Sequence, residues 1–185
     1  MRVITGSARG RRLNELKGYD TRPTTDKVKE GIFSALQFEV EGARVLDLFA
    51  GTGQLGIEAL SRGAQRAVFV DRRTDAVKLI RENLALTRLE EGAQVVCVDS
   101  MAYLNALREK FDLIFLDPPY ADDLLERAVA HIARFDILAP DGIMIAESPA
   151  EKELPKLSAP YRVAREYRYG RIKVTLYRRD GEETT

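Results

Sequence analysis

Short apolar runs alternate with longer amphipathic segments through the middle of the chain. Four runs rich in Val, Ile, Leu and Phe predict β-strands at residues 43–49, 66–71, 93–99 and 111–117. Each run is followed by a segment whose apolar residues recur at helical spacing, which predicts a helix. Strands that are almost continuously apolar are typical of a parallel sheet with helices on both faces. The pattern therefore predicts a doubly wound α/β fold.

The pattern changes after the fourth strand and helix. Residues 142–148 predict a fifth strand, and the β-rich runs on either side of Gly170 predict an antiparallel hairpin. The sequence thus predicts a mixed seven-stranded sheet within a domain of residues 41–179. Residues 180–185 are expected to be a disordered tail.

Residues 1–40 are expected to form a small basic extension of the same unit. Its first 13 residues predict a short hairpin. A helix should follow, because Thr24 or Thr25 can cap it and its apolar residues fall on one stripe. That stripe consists of Val28, Ile32, Phe33 and Leu36.

Length and composition agree with one domain. The chain has 185 residues, 45% of them apolar and 31% charged, so it can form a core without disulfides. Its single cysteine, Cys97, lies in an apolar run and is expected to be buried; one cysteine cannot build a zinc site. No apolar run has the length of a signal peptide or a membrane span. We expect a soluble, cytoplasmic monomer without a metal ion.

The equal totals of 29 acidic and 29 basic side chains hide two basic ends. Residues 1–18 carry a net charge of +4, and residues 161–179 carry +6. Such clusters are typical of nucleic-acid-binding surfaces, although by composition an ordinary solvated surface explains them equally well. If RNA is the partner, the predicted phosphate-binding residues are Arg9, Arg11, Arg12, Arg168, Arg171 and Lys173.

A glycine-rich loop, DLFAGTGQLG, follows the first predicted strand at residues 47–56. Gly51, Gly53 and Gly56 have the GxGxxG spacing, and Asp71 ends the second strand. Glycines in this position let the backbone approach a nucleotide, and the acid accepts hydrogen bonds from ribose hydroxyls. A tight turn between strand and helix is the structural alternative.

Two further acids favour S-adenosylmethionine over a dinucleotide. Asp47 lies just before the glycines, where a carboxylate can orient the cationic amino group of that cofactor. Asp99, after the third strand, can accept the adenine amino hydrogen, while the Ser100 amide meets a ring nitrogen. Each acid also has a structural alternative, since Asp47 can hold loop amides and Asp99 can cap a helix.

The fourth strand ends in Asp117-Pro118-Pro119-Tyr120, the turn we call DPPY. An exocyclic amine on a base or an amide is a weak nucleophile because its lone pair is delocalised. The Asp117 carboxylate and the Pro118 carbonyl can accept hydrogen bonds from such an amine, and Tyr120 can stack on a planar substrate. Together with the glycine loop, this turn predicts an amino-methyltransferase in which these four residues are catalytic.

The motifs resemble the RsmD family, bacterial methyltransferases that act on the N2 amine of a guanine in 16S ribosomal RNA. The resemblance spans residues 1 to about 179 and is carried by GSARGRRL, TRPTTDKVKEGIFSAL, DLFAGTGQLGIEALSRGA, FLDPPY and RYGRIKVTLYRR. It implies a class I, Rossmann-like methyltransferase fold, S-adenosylmethionine as cofactor, S-adenosylhomocysteine as product, and 16S RNA, within a small-subunit particle, as partner. Many members of the family carry asparagine in place of Asp117 or phenylalanine in place of Tyr120, and both exchanges keep this chemistry.

The same resemblance implies a set of cofactor contacts. Arg22, Pro23 and Thr24 match a segment of the family that is expected to close over the cofactor. The other implied contacts are Asp47, Phe49, Gly51, Gly53, Asp71, Asp99 and Ser100.

Three other functions stay open on the sequence. A methyltransferase of DNA adenine N6 or of protein glutamine N5 would use the same turn, although the chain has no room for a DNA target-recognition domain. A nicotinamide-dependent oxidoreductase would account for the glycines and Asp71 but not for Asp47 or DPPY. A non-catalytic RNA-binding protein would account for the basic ends but not for Asp117. The residues themselves indicate only an amine on a planar acceptor.

Overall fold

The computed structural model describes residues 1–16, 25–119 and 123–181. The strands are β1 (Arg44–Asp47), β2 (Arg66–Asp71), β3 (Ala93–Cys97), β4 (Phe111–Leu116), β5 (Leu138–Pro149), β6 (Tyr161–Tyr169) and β7 (Ile172–Arg179). The helices are α1 (Asp26–Ala35), α2 (Gln54–Ser61), α3 (Thr74–Thr87), α4 (Ser100–Ala106) and α5 (Leu124–Arg134). Among the helices of these ranges, none combines the length and the apolar character needed to cross a membrane.

The seven strands form one sheet in the order β3-β2-β1-β4-β5-β7-β6. Strands β1 to β5 are parallel, whereas β7 runs antiparallel to both β5 and β6. This confirms the predicted doubly wound mixed sheet. The strand order reverses between β1 and β4, and in open α/β sheets ligands bind at the carboxyl ends of the strands beside such a reversal.

Two apolar cores cover the two faces of the sheet. On the first face, α1, α2 and α3 pack on side chains such as Phe69, Phe115 and Ile145. On the second face, α4 and α5 pack on side chains such as Leu116 and Ala146. Because side chains alternate between the faces along a strand, these assignments also fix the direction of the residues at the strand ends.

Helix α1 forms where the apolar stripe predicts it. The Thr25 hydroxyl accepts a hydrogen bond from the Val28 N–H group at 3.3 Å and so caps the helix, one of the two caps that the sequence allows. The stripe residues are buried against β4 and its neighbours, and the Phe33 and Phe115 rings lie 5.6 Å apart. This packing holds α1 over the middle of the sheet.

The N-terminal segment forms a hairpin with very little strand pairing. A single antiparallel bridge joins Arg2 to Arg12, and the segment packs on α2 rather than extending the sheet. The turn approaches α2 so closely that a Cβ atom on Gly6 would lie 1.7 Å from the Ser61 carbonyl oxygen. Glycine is therefore required at position 6, where φ is also +90°.

A buried ion pair ties this segment to the helices. Lys29 and Glu58 have no solvent exposure, and 3.7 Å separates Lys29 Nζ from Glu58 Oε2. The Glu58 carboxylate also accepts hydrogen bonds from the N–H groups of Ile4 and Thr5 and from Arg62 Nε. Burial lowers the pKa of Lys29, an effect that the neighbouring Glu58 charge opposes.

Two expectations about the strands are corrected. Strand β3 lies at the edge of the sheet, so its side chains are only partly covered and Cys97 is exposed, not buried. Strand β5 begins at Leu138 instead of residue 142, because Leu138 already pairs with Phe111 before the extra residues in β5 shift the register. The sequence does not indicate this early start, because APDG at residues 139–142 is typical of a turn.

Candidate functional site

Four acids lie at the carboxyl ends of neighbouring strands. Asp47 ends β1, Asp71 ends β2, Asp99 follows β3 by two residues, and Asp117 directly follows β4. Because these strands are parallel and adjacent, the acids line one edge of the sheet at the reversal in strand order. The structure therefore brings together the acidic positions that the sequence selects.

The glycine loop crosses this edge between β1 and α2. Gly51 and Gly53 have φ values of +54° and +78°, a left-handed backbone that glycine adopts without strain. A Cβ atom on Gly56 would lie 2.3 Å from the Phe69 ring, so the third glycine lets α2 pack closely on β2. The loop has the backbone geometry and packing expected of a nucleotide-binding turn.

Asp47 lies beneath this loop and is almost completely buried. Its Oδ2 atom accepts a hydrogen bond from the Gly56 N–H group at 3.0 Å, the structural role that the sequence left open. Burial raises the pKa of Asp47 to about 7, the Gly56 hydrogen bond opposes the rise, and the charge of Asp71 adds to it. A cationic group of a ligand placed beside this carboxyl would favour its ionised form.

The raised pKa of Asp47 predicts a pH-dependent stability. Between about pH 4 and pH 7 the carboxyl ionises in the unfolded chain but stays protonated in the folded one, so folding loses stability as pH rises through this window. Compared with Asp47→Asn, the wild-type free energy of unfolding should fall by up to about 1.4 kcal/mol per pH unit and level off above pH 7. Urea denaturation of both proteins across this range measures the difference. A constant difference would show that Asp47 has an ordinary pKa.

Asp71 connects the glycine loop to the turn after β2. Its Oδ2 atom accepts a hydrogen bond from the Gly51 N–H group, and its Oδ1 atom accepts one from the Arg73 N–H group, both at 2.9 Å. The side chain stays partly open to solvent at the edge of the sheet. A carboxylate in this position shapes the loop and still has lone pairs for ribose hydroxyls.

Asp99 caps helix α4, which is the alternative that the sequence allows for it. Its Oδ1 atom accepts hydrogen bonds from the N–H groups of Met101 and Ala102 at 2.9 and 3.0 Å. Among the described residues, the other oxygen, Oδ2, has no hydrogen-bond partner. The cap and a contact to an adenine amine are therefore compatible. Ser100 is buried directly behind it.

The start of the DPPY turn lies at the same edge. Asp117 is half-buried, Pro118 is buried and Pro119 is exposed. Phe49, in the glycine loop, is half-buried. The remaining predicted site residues fall outside the described ranges; they are Arg22, Pro23, Thr24 and Tyr120.

The site fits S-adenosylmethionine in its chemistry. The buried Asp47 suits a cationic amino group, and Asp71, which binds the glycine loop, suits ribose hydroxyls. Asp99, which uses one oxygen to cap α4, suits the amino group of adenine. In the described ranges, no three His, Cys, Asp or Glu side chains are grouped so that they could hold a metal ion.

Comparison with known proteins places the chain in a family. The sequence profile of the family described as "Conserved hypothetical protein 95" matches residues 1–178. The chain belongs to this family. The "Putative rRNA methyltransferase YlbH" of Bacillus subtilis (strain 168) is 43% identical to it over 184 residues, 98% of this chain and 100% of that protein.

Two further relatives confirm the resemblance to the RsmD family. The "Ribosomal RNA small subunit methyltransferase D" of Escherichia coli (strain K12) is 34% identical over 182 residues, 98% of this chain and 91% of that protein. A solved structure, "Putative methyltransferase yhhF from Escherichia coli", covers 98% of this chain and 99% of its own with 33% identity and a TM-score of 0.88. The class I methyltransferase fold and membership of a methyltransferase family are thereby established.

The predicted RNA-binding residues of this family member lie in different parts of the structure. Exposed Arg168 and Arg171 flank the turn between β6 and β7, which lies at the carboxyl edge because Ile172 pairs with Pro149 at the end of β5. Lys173 has to be removed from the set. It is buried, and its ammonium donates to the Lys152 carbonyl oxygen at 2.6 Å.

Arg9, Arg11 and Arg12 are exposed, and the first two lie away from Arg168 and Arg171. The turn at residues 6–10 contacts Ser61 at the end of α2, and α2 runs from the carboxyl edge of the sheet to the opposite edge. Arg11 Nη1 donates to the Leu86 carbonyl oxygen near the end of α3, also away from the carboxyl edge. Arg9 and Arg11 therefore do not lie with Arg168 and Arg171. Arg12 pairs with Arg2 near the other end of the hairpin, where the Thr52 hydroxyl of the glycine loop donates to Met1 Sδ at 3.4 Å.

Two buried acids of this family member are not among the residues predicted from the sequence. Glu58 lies within α2, all of whose residues are buried, and Glu147 is buried near the end of β5. A signal was present, because each acid interrupts an apolar run, LGIEAL in one case and GIMIAES in the other. An acid inside such a run must have a partner or a ligand, since an isolated buried charge is costly.

Proposed function

We propose that the protein transfers a methyl group from S-adenosylmethionine to the exocyclic N2 amine of a guanine in 16S ribosomal RNA. The supporting observation is the position of Asp117 and Pro118, directly after β4 and beside the glycine loop at the reversal in strand order. The relatives named as ribosomal RNA methyltransferases support the choice of RNA. The choice of guanine N2 rests on the resemblance to the RsmD family.

The residues of the chain bind the donor and position the acceptor. S-adenosylmethionine would supply a methyl group bound to a sulfonium sulfur, and the nitrogen lone pair would attack the methyl carbon as the carbon–sulfur bond breaks. S-adenosylhomocysteine would leave, and the methylated amine would lose a proton to Asp117 or to water. In this proposal Asp47 holds the cationic amino group, Asp71 the ribose and Asp99 the adenine amine. Asp117 and the Pro118 carbonyl accept hydrogen bonds from the target amine, which keeps it in line with the methyl group. Positioning of this kind requires no metal ion.

Arg168 and Arg171 are the proposed phosphate contacts nearest to the site. They project from the turn between β6 and β7, at the edge where the target amine would be held. Phosphate contacts position an RNA without reading its sequence, so these arginines would orient the RNA while an unpaired base enters the pocket. We propose that the protein acts on the small-subunit RNA or its particle as a cytoplasmic monomer.

The function is tested with ribosomal RNA from a bacterial strain that lacks the corresponding gene. Incubation with the purified protein and S-adenosylmethionine should produce N2-methylguanosine at one position, detected by mass spectrometry of digested RNA. Calorimetry should show binding of S-adenosylmethionine but not of a nicotinamide dinucleotide. Formation of N6-methyladenosine, or of no methylated base in RNA or particles, would contradict the proposal.

The two arginines should dominate the salt dependence of RNA binding. Replacing both Arg168 and Arg171 with glutamine should make the slope of log affinity against log salt shallower by about 1–2 units. Without its two phosphate contacts, the protein releases fewer counterions when it binds RNA. The matched control replaces Arg9 and Arg11, which lie away from the carboxyl edge, and should change the slope less. Filter binding at several salt concentrations measures both. Equal slopes in the Arg168/Arg171 variant and the wild type would exclude these arginines.

A further inference from the structure

A buried amide on α3 joins two segments that lie far apart in the chain. Asn83 has no solvent exposure. Its Nδ2 atom donates hydrogen bonds to the Thr52 carbonyl oxygen at 2.9 Å and to the Asn14 carbonyl oxygen at 3.1 Å. Its Oδ1 atom accepts a hydrogen bond from the Asn14 N–H group at 2.7 Å. One side chain thus connects α3 with the glycine loop and with the N-terminal segment.

An apolar residue would suit this position if packing alone decided it. Leu79, Ile80 and Leu84 lie on the same side of α3 and are buried. Asparagine is a poor helix former, and a buried amide is costly unless its donors and its acceptor are paired. Asn83 meets this requirement, because its nitrogen makes two hydrogen bonds to backbone oxygens and its oxygen accepts one from a backbone N–H group. These contacts indicate a side chain whose role is to hold backbone in place.

The Thr52 carbonyl lies where the glycine loop can readily change shape. Its neighbours Gly51 and Gly53 have left-handed φ values, and glycine imposes few steric restraints on the backbone. The peptide group between Thr52 and Gly53 is held at both ends. Its N–H group donates to the Ala50 carbonyl oxygen at 2.6 Å, and its carbonyl oxygen accepts from Asn83. Loss of the Asn83 amide therefore releases one end of a peptide group in the middle of the loop.

The N-terminal segment has a second anchor, which does not touch the glycine loop. The Ser61 hydroxyl accepts a hydrogen bond from the Ala8 N–H group at 3.0 Å and donates one to the Thr5 carbonyl oxygen at 2.6 Å. Ser61 is the last residue of α2, whereas the glycine loop precedes the first. The anchor at Asn83 differs, because a single side chain binds both the segment and the loop.

We propose that Asn83 is a positioning residue for S-adenosylmethionine, which fixes the glycine loop through the Thr52 carbonyl and couples the loop to the N-terminal segment. The coupling arises because a shift of the Thr52 carbonyl disturbs the bonds that the same amide makes to Asn14. Asn83 is fully buried, so it acts through the backbone of the loop. This inference rests on the proposed function, in which the glycine loop binds the cofactor.

Replacing Asn83 with alanine should weaken the binding of S-adenosylmethionine at least about tenfold, because the loop loses a buried hydrogen bond and the Thr52 carbonyl is left unpaired. Methyl transfer at saturating cofactor should stay within about threefold of the wild-type rate, because Asp117 and Pro118 follow another strand. Calorimetry measures the affinity, and single-turnover methylation of RNA measures the rate. A general loss of structure would lower both.

Two matched controls remove side-chain hydrogen bonds but leave the glycine loop untouched. Thr87→Val removes a buried hydroxyl one turn further along α3, whose bonds to the carbonyl oxygens of Asn83 and Leu84 lie within the helix. Ser61→Ala removes the second anchor of the N-terminal segment. Both variants should bind S-adenosylmethionine within about twofold of the wild-type affinity.

Wild-type affinity in Asn83→Ala would overturn the inference. An equal loss of affinity in either control would overturn it too, since a loosened helix or N-terminal segment would then explain the effect.

If Asn83→Ala does not fold, hydrogen exchange of the wild-type amides decides the matter. Saturating S-adenosylmethionine should slow exchange of the Asn14 N–H group, which bonds to Asn83, at least about threefold. Exchange of the Ala8 N–H group, which bonds to Ser61, should stay the same. Equal exchange of the Asn14 N–H group with and without the cofactor would overturn the inference.

These outcomes separate the inference from the proposed function. A wild type that binds S-adenosylmethionine keeps the proposed cofactor, however the Asn83 variant behaves. A wild type that does not bind it overturns both.

Discussion

Replacing Asp117 with alanine should slow methyl transfer at least about a hundredfold, the usual effect of removing one preorganised polar group that acts on the reacting atoms. Asp117 follows β4 at the reversal in strand order, and in the proposed function its carboxylate holds the target amine. The acids assigned to the cofactor lie on other strands, so the affinity for S-adenosylmethionine should stay within about threefold of the wild type. Single-turnover methylation of RNA and calorimetry measure the two effects.

Asp117→Asn is the matched control for this experiment. Its amide oxygen can still accept a hydrogen bond from the amine. Its rate should therefore lie much closer to the wild type than that of Asp117→Ala. Normal turnover by Asp117→Ala would exclude the assigned role, and equal losses in both variants would indicate that the charge matters more than the hydrogen bond.

Replacing Glu58 with glutamine should lower the free energy of unfolding by roughly 3–5 kcal/mol, the range measured when one partner of a buried ion pair is removed. The substitution removes the Glu58 charge beside the fully buried Lys29 ammonium, which keeps its hydrogen bond to the Arg2 carbonyl oxygen, 2.6 Å away. It also weakens the hydrogen bonds from Ile4 and Thr5. Urea denaturation measures the loss.

Glu30→Gln controls for the loss of a negative charge, because Glu30 is exposed on α1 and should change the stability by less than about 0.5 kcal/mol. The double variant Glu58→Gln/Lys29→Met should recover part of the loss, since it removes the uncompensated ammonium as well. A Glu58→Gln protein as stable as the wild type would show that the pair does not hold the N-terminal segment in place.

Local features of the sequence were sufficient to predict the elements of the fold. Strand β2 has the bounds that the sequence predicts, because a short run of Val and Phe between polar residues indicates a buried strand wherever it packs. The Gly170 turn was also predicted, and Thr25 is one of the two helix caps that the sequence allowed, since each feature depends on the preferences of neighbouring residues. The chain order of acids and glycines gave the candidate site for the same reason.

Position within the sheet was decided only by the tertiary structure. Two apolar runs look alike whether a strand is central or at the edge, so the sequence could not show that β3 is an edge strand with Cys97 exposed. Basic residues also look alike whether they are exposed or buried. Lys173 is covered, while Arg9 and Arg168 lie at opposite edges of the sheet.

Contacts between distant residues were likewise absent from the sequence pattern. Lys29 and Glu58 meet because α1 and the N-terminal segment pack on α2. A buried charge is tolerated only where the fold supplies a partner, and that partner comes from a separate part of the chain. The sequence by itself therefore determined the elements and the acids of the site, whereas strand pairing and helix packing decided which charges are buried together.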